Sequence, residues 1–450
     1  MTDRKIRLGL SIRGHGYHPA AWRHPDVPAD GTLDIGHYVR SARIAELGKL
    51  DMIFFADGAG IRQGDNPPGS LSRTGRDMVE LEPMTLLPAL AMVTERVGLV
   101  TTASTTYNEP YNLARRFASL DLISHGRAGW NLVTTGNEPE AFNFGDKPLP
   151  PHAERYERAE EFARVVKGLW DSWEGDSFPR DKEAGIFFDP EKLHVLNHHG
   201  KYYSVRGPLN VARSPQGRPV IVQAGSSPTG RSFASETAEV IFVAAPTIAE
   251  AQEFYADMRS RAVGHGRSPD DIKILPGIFP VVGRTEEEAR QKYQELQDLI
   301  QPEVGLGLLS GLVGADLSGV DPDSKLPDLP QALGHVGRQK LLLELAQREN
   351  LTVKELYLRI AGARGHWTLV GTPAQIADQL QLWFESGAAD GFNVMPPILP
   401  TGLDDFVTLV VPELQRRGLF RTEYKGTTLR ENLGLAVPTP EWAKLRQAAE

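Results

Sequence analysis

Small polar side chains recur where short apolar runs end, and the stretch QAGSSPTGRSFA, Gln223 to Ala234, is the most suggestive of them. It follows the apolar RPVIVQ and precedes helical spacing, so it reads as strand, tight turn and helix start. Ser227 is placed as the N-cap, Pro228 as the first helical residue, and Gly225 lets the backbone approach a ligand closely. Free N–H groups and the positive dipole end at such an opening favour an anion, phosphate above all, with Ser226 and Ser227 adding hydroxyl donors. Without a ligand the same residues are simply a capped helix. His152 and Tyr156 lie four apart on the first turns of the next candidate, a long helix from about His152 to Trp173. There they serve either as core aromatics or as hydrogen-bond donors to a phosphate or ring oxygen. Asp57 ends the run MIFFAD, as a turn residue or a ligand acceptor. Thr102, Ser104 and Asn131 are small polar residues on otherwise apolar strands, where cross-strand hydrogen bonds explain them equally well. His15 and His18 in GHGYH raise a metal site, but they stand three apart and no later histidine set follows at a strand end, so no metal is assigned.

The elements that must position these residues alternate. Apolar runs at 6–12, 51–58, 97–104, 127–134, 219–225, 239–245, 272–283 and 391–396 read as strands. Helical patterns fall between them, among them PYNLARRFASLDLIS with Gly126 as its stop, and capping boxes at Thr285 with Glu288 and at Thr372 with Gln375. Continuous apolar strands in strand–helix alternation indicate a parallel sheet buried on both faces. Eight units over 450 residues favour an α/β fold of the (β/α)8 barrel type, one domain over 1–450 with insertions at about 59–80, 174–218 and 301–365. The second insertion contains HVLNHHGKYYSVRGPLN, which suits a small hairpin, and the third contains the helical GRQKLLLELAQREN. Barrel chemistry gathers where strands end, so the polar residues above converge on one cavity, and the 59–80 and 301–335 stretches are lid candidates.

Composition bounds the rest. Forty per cent hydrophobic and 24% charged residues are ordinary for a globular protein, and no cysteine is available for disulfides, thiolate metal sites or a thiol nucleophile. The N-terminal MTDRKIRLGLSIRG has no secretory apolar core and no segment reaches membrane-spanning length, which sets the expectation of a cytoplasmic protein with no membrane partner. A formal charge of −9 without a basic stripe argues against nucleic acid. Arg13, Arg23, Arg62 and Arg76 near strand ends are candidates to receive a carboxylate.

Taken together, the blocks HPAAWRHPD, FFADG, STTYNEPYNLARRFASLDLISHGRAGWNLVTT, FNFG and HAERYERAEEF resemble the bacterial-luciferase-like superfamily. LWDSWEGD, GKYYSVRGPLNVARSPQGRPVIVQAGSSPTGRSFA and GTPAQIADQL continue the likeness in order along nearly the whole chain. The branch resembled is the flavin-dependent one that includes nitrilotriacetate, EDTA, dibenzothiophene-sulfone and long-chain alkane monooxygenases. The resemblance implies FMN, its phosphate against Ser226 and Ser227 with Tyr156, and Asp57, Thr102, Asn131 and His152 around the ribityl and isoalloxazine parts. It further implies a two-component monooxygenase: an NAD(P)H:flavin reductase supplies FMNH2, and O2 reacts through a flavin hydroperoxide to oxygenate a small organic substrate. A homodimer or homotetramer is the family expectation. The alkane branch carries a cysteine at the first strand end that this chain lacks. His15 or His18 is then the expected catalytic residue, a neutral imidazole positioning the oxygen or the substrate. The alternatives are an F420- or FMN-dependent oxidoreductase on the same fold, a flavin-binding protein without turnover, and a metal hydrolase. No G-x-G-x-x-G loop follows a strand, consistent with borrowed reduced flavin.

Overall fold

The computed structural model describes residues 4–61, 64–75, 78–145, 148–225, 227–329, 336–363, 365–440 and 442–443, with the side chains of 336–338, 340 and 341 left aside. The strands in chain order are β1 (Arg7–Ile12), β2 (Met52–Phe55), β3 (Gly98–Ser104), β4 (Ala128–Val133), β5 (His198–His199), β6 (Ser204–Val205), β7 (Val220–Gln223), β8 (Val240–Val243), β9 (Lys273–Val282), β10 (Trp367–Gly371) and β11 (Gly391–Val394). The parallel ring β1-β2-β3-β4-β7-β8-β9-β11 closes on itself, with β11 paired to β1 from Arg7 opposite Gly391 to Leu10 opposite Val394. Helices flank the ring, so the fold is the expected (β/α)8 barrel. β5 and β6 form the hairpin anticipated in the second insertion.

One strand departs from the sequence reading. β10 pairs with the second half of β9, Trp367 opposite Ile278 through Gly371 opposite Val282, beyond the half of β9 that pairs with β8. Hence β10 lies alongside the closed ring as a ninth strand. The third insertion is also more ordered than a lid loop: helices span Pro302–Val313, Val336–Arg348 and Val353–Ala361, and their Leu309, Leu342, Leu356 and Tyr357 share one apolar cluster.

Alternation sorts the side chains. Met52, Phe54, Val100, Val220, Val222 and Val240 fill the barrel, while Ile53, Phe55 and Leu99 face the helices. Leu429 and Leu433, on a short C-terminal helix, join the barrel filling and form its floor. Gly391 is obligatory at the seam, because a Cβ there would fall on the Arg7 carbonyl oxygen. Local signals work as their chemistry dictates. The Ser227 hydroxyl accepts from the Gly230 N–H at 3.1 Å, with Pro228 opening the helix. Thr372 and Gln375 form the reciprocal box. At Thr285 the hydroxyl caps Glu288 N–H, but the Glu288 carboxylate reaches the Arg284 N–H instead. Among the described residues, no helix is long and apolar enough to cross a membrane.

Candidate functional site

The ends of β2, β3, β4 and β7 surround a cavity of about 590 Å³. That is ample for a cofactor-sized molecule. Asp57, Thr102, His152 and Tyr156 line it, as do Gly225 and Gly230 of the turn and helix start after β7. With Ser104 also on the lining, the structure brings together five of the sequence candidates and the glycines beside Ser227. Ser226 lies outside the described residues, as do Arg62 and Arg76.

At the β7 end the chain makes a bare-backbone cradle. A Cβ on Gly230 would lie 3.0 Å from both the Ser227 and the Tyr156 hydroxyl oxygens, so two hydroxyls converge where a side chain is missing. The helix Pro228–Thr237 starts here, and the N–H groups of a helix's first turn have no partner within the helix. Tyr156 is held edge-on by Phe233 at 6.1 Å and tilted against His152 at 4.7 Å, all in reach of one another because His152 and Tyr156 share a helix face.

Across β2, β3 and β4 the polar strand residues form a relay. Asn131 Nδ2 donates to the Thr102 hydroxyl at 2.7 Å, which donates to the Phe55 carbonyl at 2.9 Å. The cross-strand explanation of these residues is thus correct as far as it goes. It leaves Asn131 Oδ1 and, on β7, Gln223 Nε2 buried without a hydrogen-bond partner. A buried acceptor and a buried donor left open cost stability unless something fills them. A heteroaromatic ring edge carrying both N–H and C=O groups, as flavin does, is the kind of group that answers both.

The far wall is acidic. Asp57 shares the cavity with Glu82 and Glu140. Burial, reinforced by Glu82 and Glu140, pushes the Asp57 carboxyl above its ordinary range, against the Gly58 N–H and Arg13. The Glu82 carboxylate is itself committed to Met84 and Thr85 N–H at 2.9 and 2.7 Å as a helix cap. Residues not singled out from sequence complete the rim. Arg116 donates to Asn108 at 2.6 Å, Arg155 donates to the Thr134 and Thr135 carbonyls, and Tyr107 stacks on Phe144 at 4.4 Å and 7°. Arg155 sits between His152 and Tyr156 in HAERYER, and that spacing was the available signal.

His15 and His18 are not brought to this cavity. They line a small crevice with Arg13, Trp22, Gly75 and Glu80. His15 Nε2 lies 2.9 Å from the Ala29 carbonyl. His18 is 3% exposed, its Nδ1 accepts the Ala20 N–H at 3.3 Å, and its Nε2 lies 3.2 Å from Gln297 Oε1. With Nδ1 accepting, Nε2 carries the proton and donates to Gln297, and both ring nitrogens are occupied by the chain. Burial lowers the His18 imidazole to about 4. Folded His18 therefore resists a proton that the unfolded chain takes up near its ordinary 6.5, so stability present above pH 6.5 erodes as pH falls toward 4. We expect the melting temperature of the wild type to fall more steeply over that window than that of His18→Gln; parallel pH profiles would exclude this assignment. Arg23 is also occupied, donating to the Leu299 carbonyl.

Comparison with known proteins places this geometry. Residues 15–390 match the model of a family described as luciferase-like monooxygenase. The chain is 53% identical over 450 residues to N-acetyl-S-(2-succino)cysteine monooxygenase of Bacillus subtilis (strain 168), covering 99% of this chain and 100% of that one. It is 50% identical over 449 residues to nitrilotriacetate monooxygenase component A of Aminobacter aminovorans, covering 98% and 99%. A solved riboflavin lyase, holding a modified FMN and riboflavin, superposes with a TM-score of 0.83 at 36% identity over 97% of each chain.

Proposed function

Because the chain belongs to the luciferase-like monooxygenase family, we propose that it is the oxygenase component of a two-component system. In this reading it uses reduced FMN and O2 to place one oxygen atom in a small organic molecule containing sulfur or nitrogen. The observation that carries it is the cradle at Gly230, where Ser227 and Tyr156 hydroxyls meet a helix start beside a cavity of cofactor size.

Ser227 and Tyr156, with the neighbouring Ser226, would hold the phosphate. Thr102, Asn131, Asp57 and His152 would surround the ribityl chain and ring, with Asn131 Oδ1 and Gln223 Nε2 offered to ring donors and acceptors. When bound, reduced FMN supplies the two electrons that let O2 yield one oxygen atom to the substrate and the other to water. The chain's own work is to fix the phosphate, orient the ring edge through the Asn131–Thr102 relay and keep bulk water out of the cavity. This reading assigns His15 and His18 to shaping the crevice under the first strand end, where the chain already engages His15 Nε2 and both ring nitrogens of His18. A separate NAD(P)H-dependent reductase is the proposed source of FMNH2; that one relative is named a component A supports this.

The test is oxygen-18 transfer. Protein loaded with FMN and reduced without air is mixed with 18O2 and either nitrilotriacetate or N-acetyl-S-(2-succino)cysteine. We expect one labelled oxygen atom in the oxidised product and the other in water. Consumption of O2 with all of it recovered as hydrogen peroxide, and neither organic compound altered, would overturn the reading.

A further inference from the structure

A second cavity, of about 660 Å³, opens between the insertion helices and the edge of β10. Among the described residues none lines both cavities. It exists because β10 pairs with β9 beyond the reach of β8, leaving a gap above the end of β8 that the helices Pro302–Val313, Val336–Arg348 and Val353–Ala361 roof over. Its walls are largely apolar, with Leu312, Leu345, Ile360 and Trp367 facing in. His366 lines the cavity and stacks on Phe242 at 5.0 Å and 6°. Trp367 is fixed from behind by Trp383, stacked at 4.0 Å and 11°.

The charged groups at this cavity are not equivalent. Glu250 is engaged with the Thr247 hydroxyl at 3.0 Å at the start of its helix. Glu349 pairs with Arg348 at 3.2 Å, and Glu344 is engaged as well. Arg359 has no carboxylate partner among the described residues, although it lines the cavity. Its charge reaches the Tyr293 hydroxyl, which lines the same space and is otherwise pushed up by burial. A guanidinium and a phenol on one chamber present donors for one carboxylate, and the apolar part of the wall takes a hydrocarbon body.

We propose that this second cavity binds an amphipathic organic monocarboxylate, its carboxylate on Arg359 and Tyr293 and its apolar body against Leu312, Leu345, Ile360 and Trp367. The site goes beyond the monooxygenase reading and does not require flavin. More strongly charged polyanions are disfavoured, because Glu250, Glu344 and Glu349 stand at the same rim.

The probes are 4-phenylbutyrate and its uncharged amide, titrated calorimetrically into the full chain with and without FMN. The acid should bind about tenfold or more tightly than the amide, the difference expected for a charge-assisted contact. In Arg359→Met, which keeps the apolar stem, that preference should vanish while FMN affinity is unchanged. Leu345→Trp should block both probes by filling the space, again with FMN binding intact. Equal affinities for acid and amide, a preference that survives Arg359→Met, no binding of either probe, or displacement of the acid by FMN would each overturn the proposal. None of those results would bear on oxygen-18 transfer, which decides the monooxygenase reading separately.

Discussion

Tyr156→Phe and Ser227→Ala should each raise the Kd for FMN about tenfold, and leave the Kd for riboflavin within about twofold, because in the proposed reading each removes a hydroxyl donor to the phosphate that riboflavin lacks. The geometry makes the two hydroxyls a unit: both stand 3.0 Å from the position a Cβ on Gly230 would take. Gly230→Ala therefore puts a methyl group into the cradle and should weaken FMN more than either hydroxyl deletion. The variants separate by their side effects. Ser227→Ala also loses the cap on the Gly230 N–H, about 1 kcal/mol of helix stability, whereas Tyr156→Phe keeps its packing on Phe233 and His152. Titration of FMN and riboflavin by flavin fluorescence quenching, well below the melting temperature, is the measurement. Equal losses for the two flavins would mean that the cradle does not hold the phosphate.

How much of this was legible beforehand follows from what each signal depends on. The eight ring strands are buried on both faces, so each reads as an apolar run, and the turn chemistry after them marks the cavity end. β10 was not legible. In WTLVG, Leu369 packs outward among helices while Trp367, Thr368 and Val370 line the second cavity, and only a strand reaching past its neighbour leaves room for it. The helix Pro302–Val313 was obscured by Gly305, Gly307 and Gly311, which lower helix propensity. Packing overrides them: Gly305 admits the Tyr357 ring so closely that a Cβ would lie 2.5 Å from Cδ2. Among the residues that line the first cavity, strand-end position pointed to Asp57 and Thr102, and helix spacing to His152 and Tyr156. Gln223 and Glu140 went unread because their convergence exists only in three dimensions. The position of His15 and His18 away from this cavity was hidden for a related reason. The ring of His18 is occupied by Gln297, 279 residues further on, and residue type alone carries no trace of that partner.

The largest loss of stability is expected at the barrel floor, in Arg430→Met. Arg430 is 1% exposed and spans three segments: it grips Glu239 at 2.5 and 3.1 Å, the Gln216 carbonyl at 3.0 Å and the Ala436 carbonyl at 3.1 Å. Glu239 in turn accepts the Ile221 N–H at 3.0 Å, so the pair fastens the C-terminal helix, with Leu429 and Leu433 in the barrel filling, to β7 and β8. Removing the guanidinium leaves a carboxylate buried without its partner, at a cost of about 3–5 kcal/mol. The double variant Arg430→Met with Glu239→Gln should recover part of this, since no charge is then stranded. The pH dependence gives a sharper criterion. Burial pushes Glu239 up, but Arg430, together with Arg218 and the Ile221 N–H, outweighs it and holds the group below the ordinary carboxylate range, so its share of wild-type stability is lost as pH falls through that range. In Arg430→Met burial is opposed only by the Arg218 charge and the Ile221 N–H, so the carboxyl moves up from its wild-type position and the ionised group contributes less as pH rises. The midpoint of urea unfolding, followed from pH 4 to pH 7, should thus separate wild type and variant progressively with rising pH. A constant offset across that range would mean that Arg430 contributes by packing and carbonyl contacts alone, and that charge compensation at Glu239 does not secure the floor.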